Sequence, residues 1–228
     1  MIHTNAFKKV AVIVAGGVGV RMQADKPKQF LSLEGHSILE RTIQTFLKSY
    51  KDLQLVLVLP ADHLEEGRTM TQSLNEEGRI RYVVGGETRF QSVQNGLRTI
   101  QDTSIVFVHD AVRCLLSMDL IHRCHDQALQ LGSAVPAIEA TDSIRVVENE
   151  LNRAIPRSQV RLIQTPQTFR SDILLPAYET SYQTSFTDEA SVVEAAGGEV
   201  HLINGEMQNI KITSPLDLLV AAEYLKAR

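Results

Sequence analysis

The sequence predicts an α/β protein in which residues 1–228 form one domain around a mostly parallel, Rossmann-like sheet with helices on both faces. Three observations carry this prediction. Short apolar, β-branched runs alternate with stretches of helical periodicity. Two of the runs lead directly into glycine pairs, at residues 16–17 and 85–86. The alternation breaks once, at about 139–160, where two short strands predict a hairpin arm that projects from the sheet.

The elements of the first half follow in order. The apolar run at 10–15 predicts a central strand that is buried on both faces. Ser37 and Glu40 have the spacing of a capping box and predict the start of a helix whose apolar face extends to Tyr50. Further strands are predicted at 53–59, 80–84 and 104–108, with helical patterns between them and a helix at 117–131 that ends at Gly132.

The second half contains the predicted hairpin. A strand at 133–140 is followed by strands at 143–147 and 152–155, which flank a turn at 148–150. Helices are predicted at 173–182 and 191–196, and strands at 200–203 and 209–213. Ser214 and Pro215 predict the start of a final helix, because proline is well tolerated at the first helical position.

Composition and charge exclude several classes of protein. A chain of 228 residues that is 43% hydrophobic can bury a continuous core, and its net charge of −4 is too small for a disordered tail. It lacks the basic excess that a nucleic-acid binder needs, so no nucleic-acid partner is expected. Two cysteines, Cys114 and Cys124, cannot build a disulfide framework, which favours a reducing cytosol.

Residues 8–20 resemble part of a signal peptide, because two lysines precede an apolar stretch. Glycines at 16, 17 and 19 and the lack of leucine argue against that interpretation. The stretch is also shorter than the ~20 residues that a membrane crossing requires. We therefore interpret it as a buried strand that enters a glycine loop, and we expect a cytoplasmic protein without a membrane partner.

The first candidate site is the glycine loop at 15–22. Glycines directly after a buried strand allow successive N–H groups to point inward and hold an anion, and such a loop lies at the sheet edge where ligands bind. Arg21 and Lys28 add positive charge, so the sequence predicts a polyphosphate site. The loop has Met22 where a dinucleotide fingerprint needs glycine. This disfavours a nicotinamide oxidoreductase, which is kept as an alternative interpretation. A tight turn that merely needs small residues is the other alternative.

The second candidate site follows the strand at 104–108. Asp110 and Arg113 are placed near the same edge as the glycine loop. A carboxylate beside a polyphosphate is repelled unless a divalent cation lies between them, so Asp110 indicates Mg²⁺. A helix N-cap or an ion pair with Arg113 would also explain this aspartate.

The third candidate site begins at the second glycine pair. Arg89 is suited to contact a phosphate and Ser92 to bond a base edge, although a glycine turn before a capped helix explains the same residues. Other polar motifs, taken singly, are more typical of solvated or capping residues; they include residues 142–143, Arg157, 165–167, 187–189 and Lys211. There is no G-x-S-x-G elbow for a hydrolase, and no ligand pattern supports zinc at His122 and His125.

Taken together and in order, these motifs resemble the 2-C-methyl-D-erythritol 4-phosphate cytidylyltransferase family of the non-mevalonate isoprenoid pathway. The resemblance covers residues 10 to about 225 and rests on A-G-G-x-G-x-R-M, P-K-Q-F-L, G-G-x-x-R-x-x-S-V, V-H-D-A-x-R, D-S-I, Q-T-P-Q-x-F, T-D-E-A-S and N-I-K-I-T. It implies the nucleotidyltransferase type of fold. It also implies transfer of CMP from CTP to methylerythritol phosphate, giving 4-diphosphocytidyl-2-C-methyl-D-erythritol and pyrophosphate.

The resemblance also implies roles for individual residues. Catalytic roles fall to Arg21, Lys28 and Lys211, and nucleotide binding to Ala15, Gly16, Gly17, Gly19, Gly86, Arg89 and Ser92. Asp110, Arg113, Ser143, Arg157 and Lys211 are assigned to the acceptor, and Asp110 also to Mg²⁺. Family members are homodimers whose arm reaches the partner, so Ser143 and Arg157 are expected to complete the neighbour's site.

Three positions depart from the family pattern. Cys114 replaces a usual proline, Val20 a polar residue and Ser143 a threonine, and none of these changes removes a charge.

Two alternative functions stay open at this point. Ribitol-5-phosphate cytidylyltransferases share many of the motifs, so the acceptor is less secure than the nucleotide. A non-catalytic nucleotide-binding module would need the glycine loop without Arg157 and Lys211.

Overall fold

A computed structural model describes residues 7–16, 26–74 and 78–227 of the chain. The strands are β1 (Lys8–Val14), β2 (Ser32–Leu33), β3 (His36–Ser37), β4 (Gln54–Leu59), β5 (Ile80–Val84), β6 (Ser104–Asp110), β7 (Ser133–Glu139), β8 (Ile144–Glu148), β9 (Leu151–Ile155), β10 (Arg161–Ile163), β11 (Gln167–Arg170) and β12 (Leu202–Asn204). The helices are α1 (Ile38–Ser49), α2 (Leu64–Thr71), α3 (Arg89–Leu97), α4 (Met118–Leu131), α5 (Ser171–Ala177), α6 (Glu189–Ala195) and α7 (Pro215–Lys226).

The central sheet has the strand order β10-β7-β11-β6-β1-β4-β5, with β12 paired to β7. β1 lies parallel to β4 and β6, and β4 lies parallel to β5. β11 runs antiparallel to both of its neighbours, β6 and β7. The sheet is therefore mostly parallel, as predicted, with two reversed strands, β11 in its interior and β10 at its end.

The strand register brings the candidate motifs to one edge. Val14 at the end of β1 pairs with Val58 on one side and Asp110 on the other. Because β11 is reversed, its first residue, Gln167, lies opposite Val108 near the end of β6. The loop before β11 therefore reaches the same edge as the loops that follow β1 and β6.

Alternation along β1 divides the core into two layers. Ala11 and Ile13 pack with apolar residues of α1 and α4, whereas Val10 and Val12 pack with those of α3, α5 and α6. Period-two alternation sends successive side chains to opposite faces, so a strand that is apolar throughout requires a helical layer on each side. The predicted α/β architecture is confirmed.

The predicted helix starts are confirmed by their caps. The Ser37 hydroxyl accepts from the Glu40 N–H, and the Glu40 carboxylate accepts from the Ser37 N–H at 2.7 Å. A second capping box of the same type joins Ser214 to Asp217 at the start of α7. Such reciprocal bonds satisfy N–H groups that have no partner within the helix.

The hairpin arm consists of β8 and β9, which form their own two-stranded sheet. Asn149 and Glu150 have φ values of 47° and 69°, which gives the tight reversal between the strands. Val147 and Leu151 are 70% and 77% exposed. The arm thus carries an uncovered apolar surface in the single chain.

The second half also contains differences from the predictions. Residues 209–213 form no strand, since Ile212 makes one backbone hydrogen bond, to Val112, instead of a ladder. β10 and β11 were not predicted, and α5 ends at Ala177, before the expected 182. None of the described helices is long and apolar enough to cross a bilayer.

Candidate active site

A cleft opens at the edge of the sheet where β1 and β6 end. Among the residues that the structure describes, those that line the cleft include Ala15, Gly16, Lys28, Gly86, Arg89, Ser92, Asp110 and Lys211. These residues come from all three candidate motifs and from the distant segment at 205–213. Gly17, Gly19 and Arg21 lie outside the described residues, so their predicted roles stay predictions.

Gln29 is bonded to Ala15, directly after β1. The Ala15 N–H donates to the Val58 carbonyl at 2.9 Å, and the Ala15 carbonyl accepts from Gln29 Nε2 at 2.8 Å. Gln29 is 1% exposed and lies in the short 3₁₀ turn Lys28–Phe30. Its bond therefore fixes the turn that carries Lys28 against the end of β1. Gln29 lies within the P-K-Q-F-L motif, but no local signal in the sequence distinguishes it as a functional residue.

Ser92 fixes the second glycine loop to the start of α3. Its hydroxyl donates to the Thr88 carbonyl at 2.9 Å and accepts from the Gly86 N–H at 3.1 Å. A Cβ atom at position 85 would lie 2.9 Å from Ser92 Oγ, and one at position 86 would lie 2.4 Å from the Gln91 Cβ. Both loop positions therefore require glycine for close packing. The predicted contact of Ser92 with a base is compatible with its place in the cleft.

Asp110 is surrounded by three cationic side chains. Its Oδ2 lies 2.8 Å from Lys211 Nζ and 3.7 Å from Arg113 Nε, and its Oδ1 lies 3.2 Å from Arg89 Nε. Burial by itself would raise the pKa of Asp110, but the three cations outweigh burial and hold that pKa well below its usual range. Asp110 is therefore ionised at neutral pH and fixes the positions of the cations.

These contacts disfavour Asp110 as a ligand for Mg²⁺. Both of its oxygens already face positive groups, whereas a divalent cation needs oxygen ligands that are free of competing cations. Among the described residues, no group of three or more His, Cys, Asp or Glu side chains is arranged to hold a metal ion. The residues present do not fit a metal ion bound by the protein at this position.

Arg89 is held by a second, fully buried carboxylate. Its Nη1 and Nη2 donate to the two Glu189 oxygens at 2.6 and 3.1 Å, and the Tyr178 hydroxyl donates to Glu189 Oε1 at 3.2 Å. The Glu189 side chain is 0% exposed, so the expectation of a solvated or capping residue is wrong for it. Its neighbour Asp188 is a cap, because its side chain accepts from the Ser191 N–H at the start of α6.

Lys211 lines the other side of the cleft, and Arg113 contacts the same oxygen of Asp110 as Lys211 does. Arg113 Nη1 donates to the Asn209 carbonyl at 2.9 Å, which ties the loop after β6 to the segment that carries Lys211. Both cations therefore flank Asp110, as expected for residues that bind an anionic acceptor.

Ser143 and Arg157 lie on and beside the arm, not in the cleft. Ser143 is exposed, and Arg157 Nη1 donates to the Thr141 carbonyl at 2.9 Å. Neither residue belongs to the described lining of the cleft. Within one copy of the chain the structure does not bring them to the other predicted site residues.

His109 is fully buried beside Asp110. Burial lowers the pKa of His109 to about 3, and the neighbouring carboxylate of Asp110 opposes this shift only in part. The imidazole is therefore neutral at neutral pH.

The free energy of unfolding is expected to fall by about 2 to 3 kcal/mol between pH 7 and pH 4.5 because of His109. The unfolded chain protonates this histidine near pH 6.5, whereas the folded chain does so only near pH 3. The stabilisation is therefore complete above pH 6.5 and is lost as the pH falls toward 3. Urea denaturation at the two pH values measures the change.

The matched control for this measurement is the exposed His36. His36→Gln should leave the pH dependence unaltered, and His109→Gln should flatten it. An equally steep profile in the His109 variant would show that other groups cause the loss.

A family model described as 2-C-methyl-D-erythritol 4-phosphate cytidylyltransferase matches residues 9–227 of the chain. A protein of that name from Porphyromonas gingivalis is 44% identical over 94% of this chain and 96% of its own length. One from Bacteroides fragilis is 39% identical over 95% of this chain and 99% of its own length. The sequence similarity thus extends across the whole fold and all the candidate motifs.

Solved structures agree with these sequence comparisons. A 4-diphosphocytidyl-2C-methyl-D-erythritol synthase from Anaerococcus prevotii superposes with a TM-score of 0.83 at 27% identity, covering 96% of both chains. A 2-C-methyl-D-erythritol 4-phosphate cytidylyltransferase from Thermus thermophilus gives 0.77 at 31% identity, covering 96% of this chain and 99% of its own. The chain therefore belongs to the 2-C-methyl-D-erythritol 4-phosphate cytidylyltransferase family.

Proposed function

We propose that the protein transfers CMP from CTP to 2-C-methyl-D-erythritol 4-phosphate and releases pyrophosphate. The observation that carries this proposal is the cleft that brings residues of two glycine loops together with the cationic side chains Lys28, Arg89 and Lys211, with Arg113 beside it on Asp110. Membership of the family and similarity over nearly the whole chain support the same activity.

The reaction forms one phosphorus–oxygen bond and breaks another. An oxygen of the acceptor phosphate attacks the α-phosphorus of CTP, and the bond from that phosphorus to the bridging oxygen of pyrophosphate breaks. A phosphate monoester has a second pKa near ~6, so the attacking oxygen is already largely deprotonated at neutral pH. The reaction therefore needs no general base, and Asp110, which is held by three cations, has no need to be one.

The catalytic requirement is to bring two anions together and to stabilise the charge that develops on the leaving group. We assign Lys28 and Arg21 to the triphosphate, with N–H groups of the loops that contain Ala15, Gly16 and Gly86. Arg113 and Lys211 face the acceptor phosphate. The fixed carboxylate of Asp110 keeps these two cations in place also when no acceptor substrate is bound.

Mg²⁺ is part of the proposal as a partner of the nucleotide. Mg²⁺ is commonly bound by substrate phosphates together with few protein oxygens. Because Asp110 does not fit as its ligand, the ion would arrive with the triphosphate. A requirement for a divalent cation, abolished by EDTA and restored by added Mg²⁺, would support this part.

Pyrophosphate release tests the proposed activity directly. The purified protein is incubated with each of the four nucleoside triphosphates and with methylerythritol phosphate or ribitol 5-phosphate. Release with CTP and methylerythritol phosphate alone is expected. Faster release with ribitol 5-phosphate would favour the alternative acceptor, and CTP binding without release from either acceptor would favour a non-catalytic nucleotide-binding module.

We also propose that the active form is a homodimer in which the arm of one subunit completes the cleft of the other. The exposed Val147 and Leu151 on the arm offer an apolar contact surface, and Arg157 lies beside the arm, away from its own chain's cleft. A reciprocal exchange of arms satisfies two-fold symmetry.

Mixing two inactive variants tests this arrangement. Lys28→Ala and Arg157→Ala each impair both sites of a homodimer, but a mixed dimer has one site with Lys28 and Arg157 both intact. The two variants are mixed in equal amounts, unfolded and refolded together. Half of the dimers that form should be mixed, and each mixed dimer has one intact site out of two. About a quarter of the wild-type activity should therefore return. No recovery in a mixture shown to contain mixed dimers would contradict a shared site.

A further inference from the structure

A buried network of hydrogen bonds lies beneath the acceptor side of the cleft. The Asp110 N–H donates to Thr165 Oγ1 at 3.1 Å, and Thr165 Oγ1 lies 3.0 Å from His109 Nδ1. His109 Nε2 lies 3.2 Å from the Arg113 carbonyl oxygen. Asn209 Nδ2 donates to the Thr165 carbonyl at 2.8 Å. We refer to His109, Thr165 and Asn209 with these bonds as the Thr165 network.

The direction of each bond follows from the neutral state of His109. A carbonyl oxygen can only accept, so His109 Nε2 must carry the proton and donate to Arg113. Nδ1 is then an acceptor and receives the hydroxyl proton of Thr165. The lone pairs of that hydroxyl remain to accept from the Asp110 N–H. One tautomer therefore satisfies both ring nitrogens of His109 and the hydroxyl of Thr165, and Thr165 is the central residue of the network.

The Thr165 network joins the three segments that form the acceptor side. His109, Asp110 and Arg113 belong to the end of β6 and the loop after it, and Thr165 precedes β11. Asn209 belongs to the segment that carries Lys211, and its carbonyl accepts from Arg113 Nη1 at 2.9 Å. Thr165, His109 and Asn209 are 5%, 0% and 0% exposed, so their bonds do not compete with solvent.

We propose that Thr165 is a positioning residue for the acceptor, acting through the backbone of Asp110 and through Asn209. This inference rests on the proposed function. The hydroxyl fixes the backbone from which the Asp110 carboxylate projects, and that carboxylate holds Lys211 at 2.8 Å. Thr165 is absent from the described lining of the cleft, so it acts on the substrate through other residues.

In the described part of the two glycine loops, no residue is bonded to the Thr165 network. Ala15 is held by Val58 and Gln29, and Gly86 is held by Ser92. A substitution at Thr165 should therefore change KM and kcat/KM for the acceptor far more than those for CTP. This asymmetry separates a positioning role from a general loss of stability, which would impair both substrates.

Thr165→Val tests the inference, because valine keeps the shape of threonine and removes the hydroxyl. The variant should raise KM for methylerythritol phosphate, or lower kcat/KM for it, by about tenfold or more, since two buried polar groups lose their partner. KM for CTP should stay within about twofold of the wild-type value, because Thr165 makes no hydrogen bond with the described residues of the cleft that are assigned to the nucleotide. Thr165→Ser restores the hydroxyl and should recover most of the acceptor kcat/KM.

Thr168→Val is the matched control. Thr168 is also 0% exposed, and its hydroxyl makes none of the hydrogen bonds of the Thr165 network. This variant should leave both KM values close to those of the wild type. Equal losses toward CTP and acceptor in Thr165→Val, or wild-type acceptor kinetics in that variant, would overturn the positioning role.

Two further measurements keep the inference falsifiable if Thr165→Val does not fold. Asn209→Ser shortens the side chain that reaches the Thr165 carbonyl and should also raise KM for the acceptor selectively. Nitrogen NMR of the wild type should show His109 protonated at Nε2 and not at Nδ1; the opposite tautomer would contradict the network whatever the activity. A wild type that releases no pyrophosphate would instead overturn the proposed function.

Discussion

Replacing Lys28 with alanine is expected to lower kcat about a hundredfold, which corresponds to about 3 kcal/mol of transition-state stabilisation. Lys28 lies in the cleft on a turn that is fixed to the first glycine loop by Gln29. Its charge is placed to act on the triphosphate, and charge on the leaving group grows as the bond to pyrophosphate breaks. The variant should therefore lose more in kcat than in affinity for CTP.

Lys26→Ala is the matched control for this prediction. Lys26 lies two positions before Lys28, but its side chain is 68% exposed and faces Glu66 at 3.9 Å. Steady-state kinetics of both variants separates a specific contact from a general change in charge near the loop. Near-wild-type kcat in Lys28→Ala would contradict the catalytic role of Lys28. An equal loss of kcat in Lys26→Ala would mean that only the net charge near the loop matters, not a specific contact of Lys28.

Replacing Glu189 with glutamine is expected to lower the free energy of unfolding by about 3 kcal/mol, because it removes one partner of a buried ion pair. The change leaves the size of the side chain almost the same but removes the charge that faces Arg89 at 2.6 Å. Asp110, the remaining carboxylate near Arg89, is already shared with Lys211 and Arg113. Chemical denaturation at pH 7 measures the loss.

Glu194→Gln on the same helix is the control for Glu189→Gln. Glu194 is exposed, so its substitution should change the stability by less than about 0.5 kcal/mol. Equal stability of the Glu189 variant and the wild type would mean that the ion pair contributes no more than an apolar contact of the same shape.

Local signals in the sequence predict the first half of the fold well. The apolar run at 10–15, the capping box at Ser37 and the glycine pair at 85–86 each act over a few residues, and the structure contains β1, α1 and the loop before α3 at these places. The same signals locate Ala15, Lys28 and Asp110, which meet at one edge because parallel strands align their carboxyl ends, whereas Lys211 is indicated only by the family resemblance.

The remaining differences depend on contacts between distant residues. The segment at 209–213 alternates apolar and polar side chains like a strand, and Ile212 is buried, but one backbone bond to Val112 replaces a sheet neighbour. Glu189 resembles any acidic residue at a helix start until Arg89, 100 positions earlier, is folded against it. Thr165 and Asn209 likewise gain their importance only when three separate segments come together.

In the proposed reaction, the reversed direction of β11 would divide the recognition of the two substrates between different parts of the chain. The turns from strand to helix in the first half would hold the nucleotide, whereas Thr165, which enters from the amino end of an opposing strand, would support the acceptor together with Asn209. An exchange of the segment that leads into β11, together with residues 205–213, would thus alter one binding surface and spare the other. Acceptor preference can therefore diverge within this architecture while the requirement for a cytidine nucleotide is kept.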